Sequence, residues 1–237
     1  GLTASDFTRS VVLPQGKFSE FLQLDDSKRR EMLERIFNLE KYGRSLTEKI
    51  KNKRDGIVDF DYVLKICKSI ASIKDRKTSV AIVVGGGNIW RGRQNSYIDS
   101  SSSDKIGILG TSINALILKS AFDKLGIKSC LFNSFEAKNI MEKTPNDEEL
   151  IKLSRDNIII FGGGTGNVGC STDTASILNA IKLKSDLIVK LTNVDGIYNK
   201  DPHIYNDALK YNEITFEEAI NKNLNVMDIN SIKLSKE

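Results

Sequence analysis

Two glycine-rich segments follow short apolar runs and could bring backbone N–H groups up to a phosphate. Residues 85–88 follow the run 80–84, and residues 162–167 follow the run 158–161. Glycine leaves room for an oxyanion close to the backbone, because it carries no Cβ. Arg91, just beyond the first segment, could add a bidentate contact to the same phosphate. The first segment alone fits a tight strand-to-helix turn equally well, but two such segments favour phosphate binding.

The second segment leads into a predicted helix that begins Ser171-Thr172-Asp173. Hydroxyl groups and backbone amides at a helix N-terminus form an anion site, and Asp173 could orient a lysine or a metal ion there. The alternative is that Ser171 or Asp173 is only an N-cap. Capping explains one of these residues, but it does not explain the glycine and hydroxyl positions that precede them.

A third loop, residues 192–198, follows the apolar run 187–191 and contains Tyr198, which could stack on a base. Its Val-Asp-Gly, and the Asp201-Pro202 that follows, are also ordinary turn sequences. A Walker-type Gly-x-x-x-x-Gly-Lys-Ser/Thr is absent from the sequence, which argues against a P-loop NTPase. Three loops of this kind indicate phosphoryl transfer, where catalysis is mainly positioning and charge stabilisation.

The elements that would carry these loops alternate between strands and helices. This pattern predicts an α/β domain with a mostly parallel sheet and helices on both faces, and it places ligands beyond the carboxyl ends of the strands. We therefore expect the three loops to open on one edge of the sheet. The predicted strands are 80–84, 129–132, 158–161 and 187–191, and the predicted helices are 60–73, 111–125, 173–183 and 216–221.

Composition excludes several classes of protein. The chain has 237 residues, 40% hydrophobic and 28% charged, which is enough to bury a core, and its apolar runs fall short of a membrane span. The three cysteines are widely spaced and odd in number, which predicts a reducing cytoplasm, and the short apolar runs predict no membrane partner. With His203 as the single histidine, in a loop-like Asp-Pro-His, neither a zinc site nor a Ser-His-Asp triad is expected.

Residues 1–54 differ from the rest of the chain. They hold 12 Lys/Arg against 8 Asp/Glu, which accounts for the whole net charge of +4. Apolar residues at helical spacing predict amphipathic helices over 26–53, after a strand at 7–13 and a short helix at 18–24. We expect a short, mainly helical N-terminal segment that is loosely docked on a domain of residues 55–237. Its basic face leaves nucleic-acid binding open as a minor alternative.

Residues 55–230 resemble bacterial UMP kinases, which have the amino-acid-kinase fold. Seven blocks carry the resemblance, among them Gly-Gly-Thr-Gly-Asn and Ser-Thr-Asp-Thr-Ala. They lie at residues 83–92, 107–116, 163–167, 171–175, 192–198, 201–202 and 226–228.

The resemblance implies transfer of the ATP γ-phosphoryl group to UMP with Mg²⁺, in the cytoplasm, by a homo-oligomer that is usually hexameric. Asp173 would organise the reacting phosphates, and Lys190, at a strand end facing the same loops, could neutralise part of their charge or merely extend from the sheet edge into solvent. The residues implied for UMP are Gly86, Gly87, Arg91, Asp104, Thr165, Gly166, Asn167, Ser171 and Thr172. Those implied for ATP are Thr192, Asn193, Tyr198 and Asp201.

The chain also departs from that family. The family's first strand, ending Lys-x-Ser-Gly-Glu, has no counterpart before Asp59, and the family's last strands have none before Glu237, so the domain is expected to lack both. Lys17 or Lys190 could replace the missing lysine. Residues 7–22 and 29–37 instead resemble the Q-loop region of the bacterial exonuclease subunit SbcC, in which Gln15 would lie near a γ-phosphate.

Three functions follow from these features. The first is a UMP kinase, which produces UDP for pyrimidine nucleotide biosynthesis. The second is a chimera that binds UMP or another nucleotide with impaired turnover. The third is a fragment of an SbcC-type DNA-repair ATPase.

Overall fold

The computed structural model describes residues 9–14, 58–74, 77–92, 97–192, 194, 196–224 and 227–235. Within it, residues 9–14 are described by their backbone alone. The strand predicted at 7–13 is observed at Arg9–Pro14. The helices predicted over 18–24 and 26–53, as well as Gln15 and Lys17, lie outside the described residues.

Eight strands and six helices are assigned within the described residues. The strands are β1 Arg9–Pro14, β2 Ala81–Val84, β3 Ser129–Asn133, β4 Glu142–Lys143, β5 Ile158–Gly162, β6 Ser185–Leu191, β7 Ile197–Tyr198 and β8 Lys210–Tyr211. The helices are α1 Phe60–Ile73, α2 Ser100–Lys124, α3 Asp147–Asp156, α4 Thr172–Leu183, α5 Phe216–Asn221 and α6 Ile229–Leu234.

Six strands form one sheet in the order β4-β3-β5-β2-β1-β6, and β7 and β8 form a separate antiparallel pair. β2, β3, β4 and β5 are mutually parallel, whereas β1 runs antiparallel to both β2 and β6. Because β1 opposes both of its neighbours, β6 points in the same direction as β2. The predicted mostly parallel sheet is confirmed.

The strand pleat divides the core between the two faces of the sheet. Val80, Ile82 and Val84 face the layer formed by α1 and α2. Ala81 and Val83 face the opposite layer, which includes α3 and α4. Both sets are almost fully buried, as expected for parallel strands covered on both sides. Each buried valine or isoleucine side chain contributes about 1.5–3 kcal/mol to folding.

α2 begins eleven residues before the predicted start at residue 111. Asp99 caps it by accepting a hydrogen bond of 2.9 Å from the Ser102 N–H, and hydrogen bonds from Ser102 lower the pKa of Asp99. Ser103 is buried and accepts a hydrogen bond from the Trp90 indole at 2.9 Å. The four serines at residues 100–103 therefore form the first turn of α2, which Asp99 caps and which packs through Ser103.

α2 is also the one helix in the described part of the chain that is long and apolar enough to cross a membrane, judged by length and composition alone. Its inward residues Ala115, Leu118 and Phe122 are buried in the core against the sheet. This is the packing of a core helix.

The loop after β2 lies against α2 at backbone distance. A Cβ added to Gly86 would lie 2.7 Å from the carbonyl oxygen of Gly107 and 2.9 Å from the backbone nitrogen of Thr111. Real Cβ atoms do not approach backbone atoms so closely, and the helix backbone cannot move aside as a side chain could. Gly86 is therefore required by the fold itself.

We predict that Gly86→Ala lowers the free energy of unfolding by about 1–3 kcal/mol, since overpacking forces the loop away from α2. Gly107→Ala is the matched control, because a Cβ there meets nothing within 4 Å and alanine is the better helix former. Denaturant melts monitored by circular dichroism measure both variants. Equal stability of the two variants would contradict the close approach.

Candidate functional site

The three glycine loops open on a common edge of the sheet. β2, β5 and β6 point the same way, so the loops that leave their carboxyl ends lie on the same side of the fold. This prediction is confirmed for the strands and for the first two loops. In the third loop Thr192 is described, and its hydroxyl donates to the Val194 carbonyl at 2.6 Å, while Asn193 lies outside the described residues.

Asparagine side chains hold the first loop in place. Asn114 in α2 donates to the Gly85 carbonyl at 2.7 Å, and its amide exchanges hydrogen bonds with that of Asn88 at 2.6 and 3.1 Å. Arg91 Nε donates to the Gly87 carbonyl at 2.7 Å, which orients the guanidinium along the loop. Gly86, Gly87 and Arg91 are thus brought together, and the loop is fixed by the protein itself.

The second loop is held by the end of β3. Asn133 is fully buried and accepts from Ser112 at 2.9 Å, and the Ser134 hydroxyl donates to the Gly163 carbonyl at 2.6 Å. Gly163 has φ +74°, the left-handed region that favours glycine. This arrangement turns the chain sharply at the strand end and exposes the following residues.

Asp104 connects the second loop to α2. Its Oδ2 accepts a hydrogen bond of 2.7 Å from the Gly169 N–H. Within the loop, the Asn167 N–H donates to the Thr165 hydroxyl at 3.1 Å, which closes a local turn next to Gly166. Asp104 and the 165–172 loop, which the resemblance assigns to one ligand, are therefore in contact.

The second loop ends at the N-terminus of α4. Ser171 is the N-cap, and its hydroxyl accepts from the Thr174 N–H at 3.1 Å. The prediction that Ser171 or Asp173 is an N-cap is therefore confirmed for Ser171. Asp173 instead lies in the first turn of α4. Thr172 and Asp173 stand where the helix dipole and unpaired N–H groups favour negative charge.

Asp173 and Lys190 form an ion pair at this position. Lys190 Nζ, from β6, donates to Asp173 Oδ2 at 2.8 Å, and the two side chains are only 12% and 19% exposed. The alternative in which Lys190 merely extends from the sheet edge into solvent therefore does not describe this contact with Asp173. A lysine directed by a carboxylate at a helix N-terminus can present positive charge to phosphate.

The other carboxylate oxygen, Asp173 Oδ1, is buried and has no hydrogen-bond partner among the residues that the structure describes. A buried carboxylate oxygen without a partner costs about 1–3 kcal/mol or more. A cation bound at Oδ1 would remove that cost. Asp173 can therefore hold a lysine and a metal ion at the same time.

The predicted ATP residues Tyr198 and Asp201 lie apart from this pair, on and after β7. Asp201 is exposed and accepts from the His203 N–H at 2.8 Å, which forms a turn, and His203 itself is exposed. The hairpin is braced by an ion pair of 2.6 Å between Lys200 and Asp207.

Sequence reasoning missed the residues that support the site from outside, namely Asn114, Asn133 and Asp228. Asp228 accepts from the Ser171 hydroxyl and caps α6. The signal available was the spacing Asp228-x-x-Ser231, a helix N-cap pattern within one of the seven blocks. Among the described residues, His, Cys, Asp and Glu side chains form no group of three or more that could hold a metal ion.

We predict that Lys190→Met destabilises the protein strongly, because it leaves the Asp173 carboxylate buried without a counter-charge. Breaking a buried pair from one side costs up to about 3–5 kcal/mol. Lys119→Met, which breaks the exposed i,i+4 pair with Asp123, should cost under about 1 kcal/mol. Thermal and urea unfolding measure both variants. A Lys190→Met protein as stable as Lys119→Met would mean that the pair is solvated.

Comparison with known proteins agrees with this geometry. The sequence profile of the amino acid kinase family matches residues 43–236. A uridylate kinase of Fervidobacterium nodosum is 40% identical over 176 residues, 74% of this chain and 75% of that protein. A uridylate kinase of Acinetobacter baylyi is 34% identical over 207 residues, 84% of this chain and 86% of that protein.

Solved structures are similar as well. The crystal structure of UMP kinase from Ureaplasma parvum superposes with a TM-score of 0.70 at 29% identity, over 78% of this chain and 80% of that one. The UMP kinase of Bacillus anthracis gives a TM-score of 0.71 at 29% identity, over 78% of each chain. Since the profile covers most of the sequence and a 40% identical relative is matched over three quarters of its length, this chain belongs to the amino acid kinase family.

Proposed function

We propose that the chain is a UMP kinase, which transfers the γ-phosphoryl group of ATP to UMP and produces UDP for pyrimidine nucleotide biosynthesis. The relatives named uridylate kinase and the structural neighbours named UMP kinase support this function. The observation that carries it in this chain is the buried Asp173–Lys190 pair at the α4 N-terminus, beside the second glycine loop. In this proposal the pair would offer a positive charge and the second oxygen of Asp173 to the reacting phosphates.

UMP would lie between the first two loops. Gly86, Gly87 and Arg91 would hold its phosphate, in keeping with the way that Gly87 orients the Arg91 guanidinium. Asp104 would bind the nucleoside, and its contact with Gly169 would couple that binding to the second loop. The remaining proposed UMP residues lie along that loop and the start of α4: Thr165, Gly166, Asn167, Ser171 and Thr172.

ATP would lie toward the third loop and the β7–β8 hairpin. Thr192 follows β6, the strand that carries Lys190, so a nucleotide bound there would have its phosphates near the ion pair. Tyr198, in β7, would stack on the base, and Asp201 and Asn193 would contact the rest of the nucleotide. These assignments rest on the resemblance and on the order of the elements along the edge.

In phosphoryl transfer the protein mainly aligns the two oxygens and stabilises the charge that develops on the transferred group. Lys190 would neutralise part of that charge, and Asp173 would keep Lys190 directed toward it. A Mg²⁺ ion fits beside Asp173 Oδ1, since magnesium bound with nucleotide phosphates needs only one or two protein carboxylates. When bound with ATP it would supply charge neutralisation at the phosphate oxygens.

The comparisons do not support the alternatives, a nucleotide-binding chimera without turnover or a fragment of an SbcC-type ATPase. The resemblance of residues 7–37 to SbcC stays a prediction. We also propose a cytoplasmic location, in keeping with the odd number and wide spacing of the three cysteines, Cys67, Cys130 and Cys170.

We predict that the full chain releases ADP from ATP in the presence of UMP and Mg²⁺, measured in a coupled assay. Arg91→Ala should raise KM for UMP roughly 10- to 100-fold, because a charged hydrogen bond to phosphate contributes about 1.5–3 kcal/mol. Arg155→Ala, on the exposed side of α3, is the control and should leave KM unchanged. A folded wild-type protein without UMP-dependent ADP release would refute the proposed function.

We further propose that the protein is a homo-oligomer, which assembles through an apolar stripe on α2. The stripe comprises four side chains at helical spacing that are 36–52% exposed: Ile106, Leu109, Ile113 and Leu116. Because none of the four is charged, the same surface on a second copy would be compatible with it.

We predict that Leu109→Lys shifts the protein to a smaller mass in sedimentation velocity, since a charge would be desolvated in the interface. Leu209→Lys, at a side chain that is 68% exposed near β8, is the matched control and should keep the wild-type mass. A wild-type monomer, or the same mass for all three proteins, would contradict an interface at the stripe.

A further inference from the structure

Asp228 joins two helices that are far apart in sequence. It is the N-cap of α6, and its Oδ1 accepts from the Ser231 N–H at 3.0 Å. Its Oδ2 accepts from the hydroxyl of Ser171, the N-cap of α4, and from the hydroxyl of Ser231 at 2.5 Å. One carboxylate thus holds the starts of both helices.

The hydroxyl groups around Asp228 form a closed set of hydrogen bonds. Ser171 accepts the Thr174 N–H and gives its own proton to Asp228. Ser231 also gives its proton to Asp228, so the contact of 3.0 Å between Thr174 and Ser231 has the Thr174 hydroxyl as donor. Both hydroxyl groups donate to Oδ2, which a carboxylate oxygen can accept, whereas an amide nitrogen in its place would have to donate and both hydroxyl groups would have to reverse.

Capping of α6 does not explain this arrangement. A capping carboxylate needs only the contact to the N–H three residues on, as Asp59 shows at the start of α1 with Tyr62 at 3.1 Å. The two hydroxyl contacts of Asp228 Oδ2 are additional. One of them, with Ser171, reaches the turn of α4 that carries Asp173, and the other is with Ser231 of α6, which is fully buried.

We infer that Asp228 is a positioning residue for phosphoryl transfer, which fixes the first turn of α4 through Ser171. Lys190 holds the same turn from the sheet through Asp173, so the turn is tethered on two sides. Without the Asp228 tether the Thr174–Ser231 contact would remain on that side of the turn, but the N-cap Ser171 would lose its partner in α6, and Asp173 and Lys190 would meet the phosphates in a less fixed geometry. The catalytic part of this inference rests on the proposed function, whereas the tether itself does not.

The test compares Asp228→Asn with Asp59→Asn, the same change at an N-cap that lacks the extra contacts. Asp228→Asn should lower kcat at least about tenfold with KM for UMP and ATP within about twofold, since small misplacements are costly in a preorganised site. Asp59→Asn should leave kcat unchanged. Ser231→Ala, which keeps Asp228 and its charge, should give a smaller fall in kcat and serves if Asp228→Asn does not fold. A kcat within about twofold of wild type in folded variants would overturn the catalytic role.

Hydrogen exchange separates the tether from the proposed reaction. Amides of residues 172–175 should exchange at least about tenfold faster in Asp228→Asn than in wild type, with no such change in Asp59→Asn. If wild type lacks UMP kinase activity but this difference is present, the proposed function fails and the tether stands. Unchanged exchange at residues 172–175 would overturn the tether whatever the activity.

Discussion

The ion pair between Asp173 and Lys190 is the interaction on which the rest of the site depends. It joins the first turn of α4 to β6 and places a lysine and a carboxylate at a helix N-terminus, at only 12% and 19% exposure. Such a pair is costly to desolvate, and it is weak evidence for stability as such. Its value lies in geometry, because charges fixed before the substrate arrives need no reorganisation during the reaction.

The surrounding structure fixes the loops in the same way. Gly86 touches the backbone of α2, and Asn114 holds the carbonyl before it, so the first loop cannot drift from the helix. Ser134 holds the second loop from the end of β3, and the neighbouring Asn133 is bound to Ser112 of α2. These two loops are therefore ordered before a ligand binds. Ligand binding does not have to supply the free energy that ordering them would cost.

The sequence predicted the features that have a local cause. The apolar runs before each glycine loop gave strands at nearly their observed bounds, and α1 and α5 agree with their predicted ranges. The start of α2 was missed, because serines and glycines have low helix propensity and the packing of Ser103 against Trp90 is a contact with another segment. The cap at Asp99 is local, since it bonds Ser102, and it was overlooked. α3 was also missed. Asn146 caps it by accepting a hydrogen bond from the Glu149 N–H, but the segment is rich in charged residues, which conceal this pattern.

Contacts between distant segments could not be predicted. The place of Lys190 beside Asp173 follows from the sheet order, in which β1 separates β6 from β2. β1 itself comes from the segment predicted to lie outside the nucleotide-binding domain, yet its backbone pairs with both strands, and the boundary near residue 54 stays a prediction. Asp228 is linked to Ser171 across 57 residues, which neither periodicity nor spacing reveals.

The most direct test of the central claim is the turnover of Asp173→Asn, with UMP binding measured by calorimetry on the same protein. Asparagine keeps the shape of the side chain but removes the charge that directs Lys190 and the oxygen that fits a metal ion. We expect kcat to fall by about 10²–10³ while UMP still binds, because the loss of one preorganised charged group from an active site has an effect of this size. A kcat close to that of wild type in a folded Asp173→Asn protein would contradict it.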